Sequence, residues 1–234
     1  AYSEHARRYL AECGLPKERT FVTGSPMAEV LSAHLKQIDA SKILSKLGLK
    51  KRGYILLSAH REENIDDEKN FTSLFTAINE MVEKYNLPVL YSCHPRSRKR
   101  LDASGFKLDK RVIRHEPLGF FDYNHLQSNA FAVVSDSGTL PEESSFFTSV
   151  GRSFPAVCIR TSTERPEAVD KGCFIIAGID KNSLPGAVQL AVEMNEAGDY
   201  GVPVPDYADL NVSGKVVKII RSYTGIVDKF VWRK

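Results

Sequence analysis

Residues 131–143, FAVVSDSGTLPEE, decide the fold that this sequence predicts. The apolar run at residues 131–134 has the length and composition of a buried strand. The residues that follow, SDSGTLPEE at 135–143, form a turn and then open a run with helical character. A strand that passes through a short turn into a helix is the repeating unit of parallel α/β sheets. The stretch therefore predicts an α/β fold.

The rest of the chain repeats this alternation. Short apolar runs predict buried strands at residues 54–58, 88–92, 111–113, 131–134, 156–159 and 174–177, with a further strand near 20–22. Amphipathic stretches between them predict helices, most clearly from Phe71 to Val82 and from Asn182 to Glu196. Single helices between strands require right-handed crossovers and hence a parallel sheet covered on both faces. We predict one domain over residues 1–234, a Rossmann-like doubly wound parallel sheet.

Both ends of the chain predict helices that flank this domain. They cover residues 1–12 and the tail at residues 213–234, which carries the single tryptophan, Trp232. The last residues of the tail include Ile226, Phe230 and Val231, so we expect the tail to dock on another surface.

Composition limits the classes of function. Hydrophobic residues make up 42% and charged residues 26% of the 234 residues, which is typical of a soluble globular protein. The net charge of +3 comes from scattered basic residues, so we expect no nucleic-acid partner. No apolar run is long enough to predict a membrane span. The four cysteines lack metal-ligand spacing and favour buried free thiols and a reducing, cytoplasmic setting.

The turn at residues 135–139 has the chemistry of a phosphate-binding site. Backbone N–H groups and the hydroxyls of Ser135 and Ser137 lie there at the positive end of a helix. Glu142 and Glu143 follow one turn later and could accept hydrogen bonds from sugar hydroxyls. Residues 163–167, TERPE, add Arg165 for a charge-assisted contact. A purely structural interpretation is that Ser137 and Thr139 cap the helix and that the two glutamates stabilise its dipole. The combination of both segments favours a nucleotide-sugar site.

Two further polar clusters follow predicted strands. Residues 58–64, SAHREEN, place His60 and Arg61 where they could contact phosphate or transfer a proton, or could form a solvated loop before a helix that Asp66 or Asp67 caps. The residues support both interpretations. His94 precedes a proline, which favours a structural junction, and the basic residues at 96–100 favour a solvated helix face.

Residues 58–64, 136–143 and 163–167 occur in an order and spacing that closely resemble the carboxyl-terminal half of the non-hydrolysing UDP-N-acetylglucosamine 2-epimerase family. The Ser-Gly-Thr form of the turn, the following Glu-Glu-Ser and the ending VWRK are most similar to the branch that interconverts UDP-N-acetyl-L-talosamine and UDP-N-acetyl-L-fucosamine for capsule or O-antigen assembly. The resemblance implies that the chain forms the carboxyl-terminal half of a GT-B-like two-domain fold, with its tail docked on an amino-terminal domain.

The resemblance also implies roles for individual residues. Ser137, Gly138 and Thr139 correspond to the family's pyrophosphate-binding turn. The family's ribose-binding carboxylate corresponds to Glu143, and its sugar- and phosphate-contacting arginine corresponds to Arg165. Its cleft histidine corresponds to His60, and its aromatic residue near uracil corresponds to Tyr123. His60 is the candidate catalytic residue. Glu62 departs from the pattern, because the family often carries a second arginine there.

The implied reaction inverts C2 of a UDP-N-acetyl-hexosamine by eliminating UDP and adding it back. Such a reaction needs neither a redox cofactor nor a metal, and the sequence has no G-x-G-x-x-G motif and no ligand-spaced His/Cys cluster. The implied partners are UDP and UDP-N-acetyl amino sugars, and the full-length enzyme is expected to be a homodimer. We expect the chain alone to bind UDP and to lack turnover.

Three other functions remain compatible with these residues. A GT-B glycosyltransferase also has a nucleotide domain with a ribose-binding glutamate. The chain could also be a non-catalytic UDP-sugar-binding module or part of a hydrolysing epimerase. Product analysis with UDP-sugars separates these possibilities.

Overall fold

A computed structural model describes all 234 residues and contains one six-stranded, fully parallel sheet. The strand order is β3-β2-β1-β4-β5-β6, which is the doubly wound order of the Rossmann fold. The strands are β1 Ile55–Ser58, β2 Val89–Ser92, β3 Val112–His115, β4 Ala132–Ser135, β5 Ala156–Cys158 and β6 Ile175–Ile176. The predicted Rossmann-like sheet is confirmed.

Helices connect the strands and flank both ends of the chain. They are α1 Glu4–Glu12, α2 Met27–Asp39, α3 Ile43–Leu47, α4 Glu62–Ile65, α5 Glu68–Tyr85, α6 Pro95–Ser104, α7 Phe120–Asn129, α8 Leu140–Ser149, α9 Pro166–Asp170, α10 Ser183–Glu196 and α11 Val212–Phe230, with short 3-10 helices at Lys17–Arg19 and Pro205–Tyr207. None of these helices combines the length and the apolar composition that a membrane span requires.

Alternating residues of the central strands build two apolar cores, one on each face of the sheet. Ile55 and Leu57 of β1 pack into the core that α5 and α10 cover. Leu56 faces the opposite core, which α2, α7 and α8 cover. Because side chains alternate across a strand, a continuous apolar run such as ILL fills both layers. The helices that follow β1 and β4 therefore lie on opposite faces of the sheet.

Local signals in the sequence explain where α5 begins and ends. The Asp67 carboxylate accepts a 2.8 Å hydrogen bond from the Asn70 amide at the N-terminus. Asn86 ends the helix in the left-handed region with φ of 49°. The apolar residues of the predicted stripe, from Phe71 to Val82, are buried. The other predicted helix, from Asn182 to Glu196, is confirmed as α10.

Two details of the sequence prediction are wrong. Residues 20–22 form no strand, because this segment binds the start of the chain instead of a sheet edge: the Thr23 amide donates a 2.9 Å hydrogen bond to the Ala1 carbonyl. The tail is helical from Val212 to Phe230, and residues 231–234 lie outside the helix. Cys93, Cys158 and Cys173 are buried free thiols as predicted, whereas Cys13 is exposed.

Candidate functional site

The candidate site lies where the winding of the sheet reverses. Strands β1 and β4 are neighbours in the centre of the sheet, with Ser58 in register with Ser135 at their carboxyl ends. The chain leaves β1 towards α5 on one face and leaves β4 towards α8 on the other face. This divergence opens a crevice beyond the strand ends, which is the usual ligand position in doubly wound folds. The segments 58–64 and 135–143 therefore meet at one place.

Asp136 holds the two segments together. Its side chain is fully buried directly after β4. Its Oδ2 atom accepts hydrogen bonds from the backbone amides of His60 and Arg61, both at 2.9 Å, and from Nδ2 of Asn64 at 3.1 Å. The Arg61 Nε atom also donates to the Asp136 carbonyl at 3.0 Å. One carboxylate thus fixes the backbone of the loop that carries His60.

The turn at residues 137–139 is shaped by its own hydroxyls. The Ser137 amide donates to Oγ of Ser135 at 3.0 Å, and the Thr139 amide donates to Oγ of Ser137 at 3.3 Å. The Gly138 amide, which lies between them, donates to no acceptor within the protein. Because this amide lies just before the first turn of α8, the helix dipole adds to its positive potential. The turn can receive an anion at this point.

Gly138 leaves room for such a ligand. A Cβ atom at this position would lie 3.3 Å from Oε1 of Glu164 and 3.7 Å from Nη2 of Arg61. Both side chains come from other segments of the site, and Arg61 Nη2 lies 3.5 Å from Glu164 Oε1. The glycine therefore keeps the approach to the turn narrow but open.

Glu143 lies behind the turn, inside the protein. Its Oε1 atom accepts a 3.0 Å hydrogen bond from the Thr139 hydroxyl, and its Oε2 atom accepts a 2.7 Å hydrogen bond from Nε2 of Gln127. Burial raises the pKa of the Glu143 carboxyl, and these two hydrogen bonds only partly oppose the shift. Each oxygen retains a lone pair that could accept a hydroxyl from a ligand.

Tyr123 on α7 is brought to the same region. Its ring packs against the core that includes α2, α7 and α8. Burial raises the pKa of the Tyr123 phenol, and the negative charge of Glu143 raises it further. The phenol therefore stays neutral, and Tyr123 is a neighbour of the carboxylate predicted to bind ribose.

Arg165 is held beside the turn by a carboxylate on the same helix as Glu143. The Arg165 Nε atom donates to Oε1 of Glu142 at 3.1 Å, and Oε2 of Glu142 accepts a 2.7 Å hydrogen bond from the fully buried Ser25 hydroxyl. The ring of Tyr2 lies 5.1 Å from the guanidinium carbon of Arg165. Burial alone would lower the pKa of Arg165, but Glu142 raises it above the ordinary value.

The two glutamates have different hydrogen-bond partners. Glu142 is committed to Arg165 and Ser25, whereas Glu143 faces the turn through Thr139. Thr139 is the N-cap residue of α8, but its side chain makes no capping hydrogen bond to the helix. The hydroxyls of Ser137 and Thr139 instead bond within the turn and to Glu143.

Sequence reasoning missed the residues that organise the site. Asp136 directly follows a buried strand, and that position was a usable signal for it. Asn64, Gln127 and Ser25 are distant in sequence from the turn, and only the fold brings them to it. Outside the site, Nδ1 of His94 caps α6 by accepting from the Arg96 amide, and Arg96 pairs with Glu62 at 2.8 Å. These contacts support the structural interpretation of His94 and of the basic residues at 96–100.

Comparison with known proteins identifies the family and supports the fold. The sequence profile of the UDP-N-acetylglucosamine 2-epimerase family matches residues 1–221. The structure of UDP-N-acetylglucosamine 2-epimerase from Rickettsia bellii is similar to all of this chain with 37% identity and a TM-score of 0.90, and 62% of that protein is covered.

Two comparisons concern Methanocaldococcus jannaschii. Its UDP-N-acetylglucosamine 2-epimerase is 29% identical over 197 residues, which cover 81% of this chain and 52% of that protein. A crystal structure of the epimerase from this organism in complex with UDP-GlcNAc and UDP has a TM-score of 0.82 at 27% identity, with 95% of this chain and 60% of that one covered. The chain thus spans about half the length of the curated relatives it matches.

Proposed function

The chain belongs to the UDP-N-acetylglucosamine 2-epimerase family, and on that premise we propose that it is the UDP-binding half of an enzyme that inverts C2 of a UDP-2-acetamido sugar. The observation that carries the proposal is the crevice between β1 and β4. Within it, an unpaired amide at Gly138, a cation at Arg165 and a buried carboxylate at Glu143 surround one turn.

We assign the diphosphate to the turn at residues 137–139. The Gly138 amide and the N-terminus of α8 supply preorganised donors, and Arg165 adds a guanidinium whose position is set by Glu142. A phosphate group bound there would not displace any hydrogen bond of the Gly138 amide. Comparable donors stabilise the negative charge that develops on a leaving group.

We assign the ribose to Glu143 and the uracil to the side of Tyr123. A buried carboxylate accepts hydrogen bonds from hydroxyls strongly, because few water molecules compete for it. Glu143 already lies 3.0 Å from the Thr139 hydroxyl, so it faces the same turn as the diphosphate.

The proposed reaction breaks the bond between C1 and the diphosphate oxygen, and UDP leaves with the electron pair as the proton leaves C2. Protonation of the resulting glycal on the opposite face and return of UDP to C1 give the C2 epimer. This chain holds UDP during both steps. His60, which the crevice brings beside the turn, is the proposed group in contact with the leaving diphosphate.

The finer parts of the proposal follow from the resemblance. We propose a cytoplasmic enzyme, a homodimer in its full-length form, that acts in cell-surface polysaccharide assembly. UDP-N-acetyl-L-talosamine is the first sugar nucleotide to test. We also propose that residues 1–234 form one nucleotide-sugar-binding domain whose helix α11 docks on an amino-terminal domain.

A titration of the chain with UDP tests the binding proposal. We expect UDP to bind more tightly than UMP, because the second phosphate adds contacts to the turn. Equal affinity for UDP, UMP and uridine would contradict the assignment of the diphosphate. Incubation of the full-length protein with UDP-N-acetyl amino sugars, without an acceptor, should give the C2 epimer by NMR. Free UDP with a free amino sugar would instead indicate hydrolysis, and turnover only with an acceptor would indicate glycosyl transfer.

A further inference from the structure

One atom of the site lacks a partner that its burial demands. The Oδ1 atom of Asp136 is completely buried and accepts no hydrogen bond, although Oδ2 of the same carboxylate accepts three. An unpaired buried carboxylate oxygen is costly, so such atoms usually have a donor within reach. Nδ1 of His60 lies 3.1 Å from this oxygen.

The His60 ring is free to complete this contact. Its side chain is 48% exposed, and the 3.1 Å approach fails as a hydrogen bond only in its direction. The backbone of His60 is already fixed to the same carboxylate through its amide. Alignment of Nδ1–H with Oδ1 requires a rotation of this half-exposed ring about its side-chain bonds.

We propose that Asp136 is a positioning residue that sets the tautomer of His60 and presents its Nε2 atom to the diphosphate. The ring of a neutral histidine carries one proton, and a hydrogen bond to one nitrogen decides which nitrogen holds it. With the proton on Nδ1 bonded to Asp136, Nε2 is the atom that takes up a further proton. The resulting Nε2–H then points away from Asp136. This inference rests on the proposed function for the identity of the ligand.

The three donors at Oδ2 make the inference unusually testable. They are all N–H groups, so an asparagine at position 136 must place its carbonyl oxygen in the Oδ2 position. Its NH2 group then occupies the Oδ1 position and points at Nδ1 of His60. A donor at that position excludes the Nδ1–H form and favours the Nε2–H form. Asp136→Asn therefore reverses the tautomer and retains the hydrogen bonds of the loop.

The measurement is a long-range proton–nitrogen NMR spectrum of the 234-residue chain, taken where the His60 ring is neutral. His60→Gln identifies the His60 signals among the six histidines. We expect the Nδ1–H form in the wild type and the Nε2–H form in Asp136→Asn. Asn64→Ala, which removes another donor to Oδ2, serves as the matched control and should keep the Nδ1–H form.

Each result decides the matter. An Nε2–H ring in the wild type overturns the proposal, and this holds even if the Asp136→Asn chain fails to fold. An unchanged tautomer in a folded Asp136→Asn chain also overturns it. Addition of UDP should move the Nε2 resonance of the wild type while Nδ1 stays protonated. If the tautomers are as expected but the Nε2 chemical shift does not change at saturating UDP, the role of Asp136 stands and the proposed UDP site is contradicted.

Discussion

Glu143 is a buried carboxylate whose ionisation costs stability. Burial raises its pKa above the ordinary value of 4.5. Between the ordinary and the raised pKa, the folded chain binds a proton that the unfolded chain has released, so stability falls as pH rises through this window. Ionisation of the buried Glu143 carboxyl therefore costs stability, and we propose that the ribose contact compensates for it.

Replacement of Glu143 by glutamine should separate these two effects. The carbonyl of the new side chain can accept from Gln127, and its NH2 group can donate to the Thr139 hydroxyl, so both partners of Glu143 keep a hydrogen bond. We expect a higher melting temperature at pH 7 and UDP affinity lower by about tenfold, or ~1.4 kcal/mol, because the charge-assisted bonds to ribose are lost. Calorimetric titration and thermal unfolding measure both.

Glu196→Gln is the matched control for this variant, because Glu196 is exposed on α10. It should change neither quantity. Unaltered UDP affinity in Glu143→Gln would remove the ribose contact from Glu143.

Substitution of Gly138 tests whether the turn at residues 137–139 binds the diphosphate. A methyl group there would meet Glu164 Oε1 at 3.3 Å, and this half-exposed side chain can move aside. We expect Gly138→Ala to leave stability within about 0.5 kcal/mol, as for a surface change, and to weaken UDP at least about tenfold, because the methyl group stands beside the unpaired amide. The readouts are UDP titration and chemical denaturation.

Gly186→Ala provides the comparison, since no atom lies within 4 Å of the added group in α10. This helix substitution should stabilise the chain by roughly 0.5–1 kcal/mol and leave UDP binding unchanged. Equal UDP affinity in wild type and Gly138→Ala would place the diphosphate elsewhere.

Residue types and their spacing predicted the turn, Glu143 and Arg165 because these lie close together along the chain. The partners of these residues could not be predicted in the same way. Asn64 reaches Asp136 across 72 positions, and Ser25 reaches Glu142 across 117 positions. Such contacts exist only after the sheet has brought the strand ends together, so a local pattern contains no signal for them.

Helix α11 and the residues that follow it carry an apolar surface that this chain leaves uncovered. Val217 and Ile220 are 59% and 58% exposed, and Phe230 and Trp232 are 69% and 65% exposed. Its inner side is attached to the start of the chain, where Phe21 packs edge-on against Tyr223 with ring centroids 4.7 Å apart. An exposed apolar patch of this kind is typical of an interface.

Charges on this surface should reduce self-association of the chain at high concentration. We expect Val217→Glu with Ile220→Glu to lower the apparent mass in sedimentation experiments and to shift the free energy of unfolding by less than about 0.5 kcal/mol, because both side chains are more than half exposed. Lys218→Glu is the control, since it changes the net charge by the same two units without removing an apolar side chain. Identical association of all three chains would argue against an interface on α11.

Element boundaries show where local patterns succeed and fail. Short apolar runs predicted the six strands most clearly at β1, β2, β4 and β5, which are buried on both faces, whereas β3 and β6 are partly exposed. The apolar residues at 20–22 gave the same signal, but the Ala1 carbonyl binds this segment instead. A strand needs a free neighbouring strand, and a single run of residues does not reveal whether one is available.

The molecule consists of one sheet with an apolar core on each face. The reactivity of the buried cysteines therefore measures how tightly these cores are packed. Cys158 and Cys173 are buried in the core on one face, and burial raises the pKa of each thiol to about 11. Cys93 is buried in the other core. In the native chain, only the exposed Cys13 should react with a thiol-specific disulfide reagent at pH 8.

The count of reactive thiols should rise from one to four when guanidinium unfolds the chain. A Cys13→Ser chain should show no fast reaction in its native state. Rapid modification of a second thiol in the folded protein would contradict the packing of one of the two cores.

The strand order 3-2-1-4-5-6 ties the fold to the site. The chain leaves β1 and β4 towards opposite faces of the sheet, so the crevice lies at the ends of these two strands. Three motifs that are separate in the sequence meet there. Alternating strands and helices predicted the parallel sheet, and the resemblance to a known family supplied the roles of its loops. The contacts in the structure then gave a role to Asp136, which lay in the quoted motifs without an assigned role.

A crystal structure of the 234-residue chain with UDP at saturating concentration tests the central claim most directly. We expect a phosphate oxygen within hydrogen-bond distance of the Gly138 amide and ribose hydroxyls bonded to the carboxylate of Glu143. The guanidinium of Arg165 should lie beside the diphosphate. A crevice without nucleotide, or UDP bound at another part of the sheet, would contradict it.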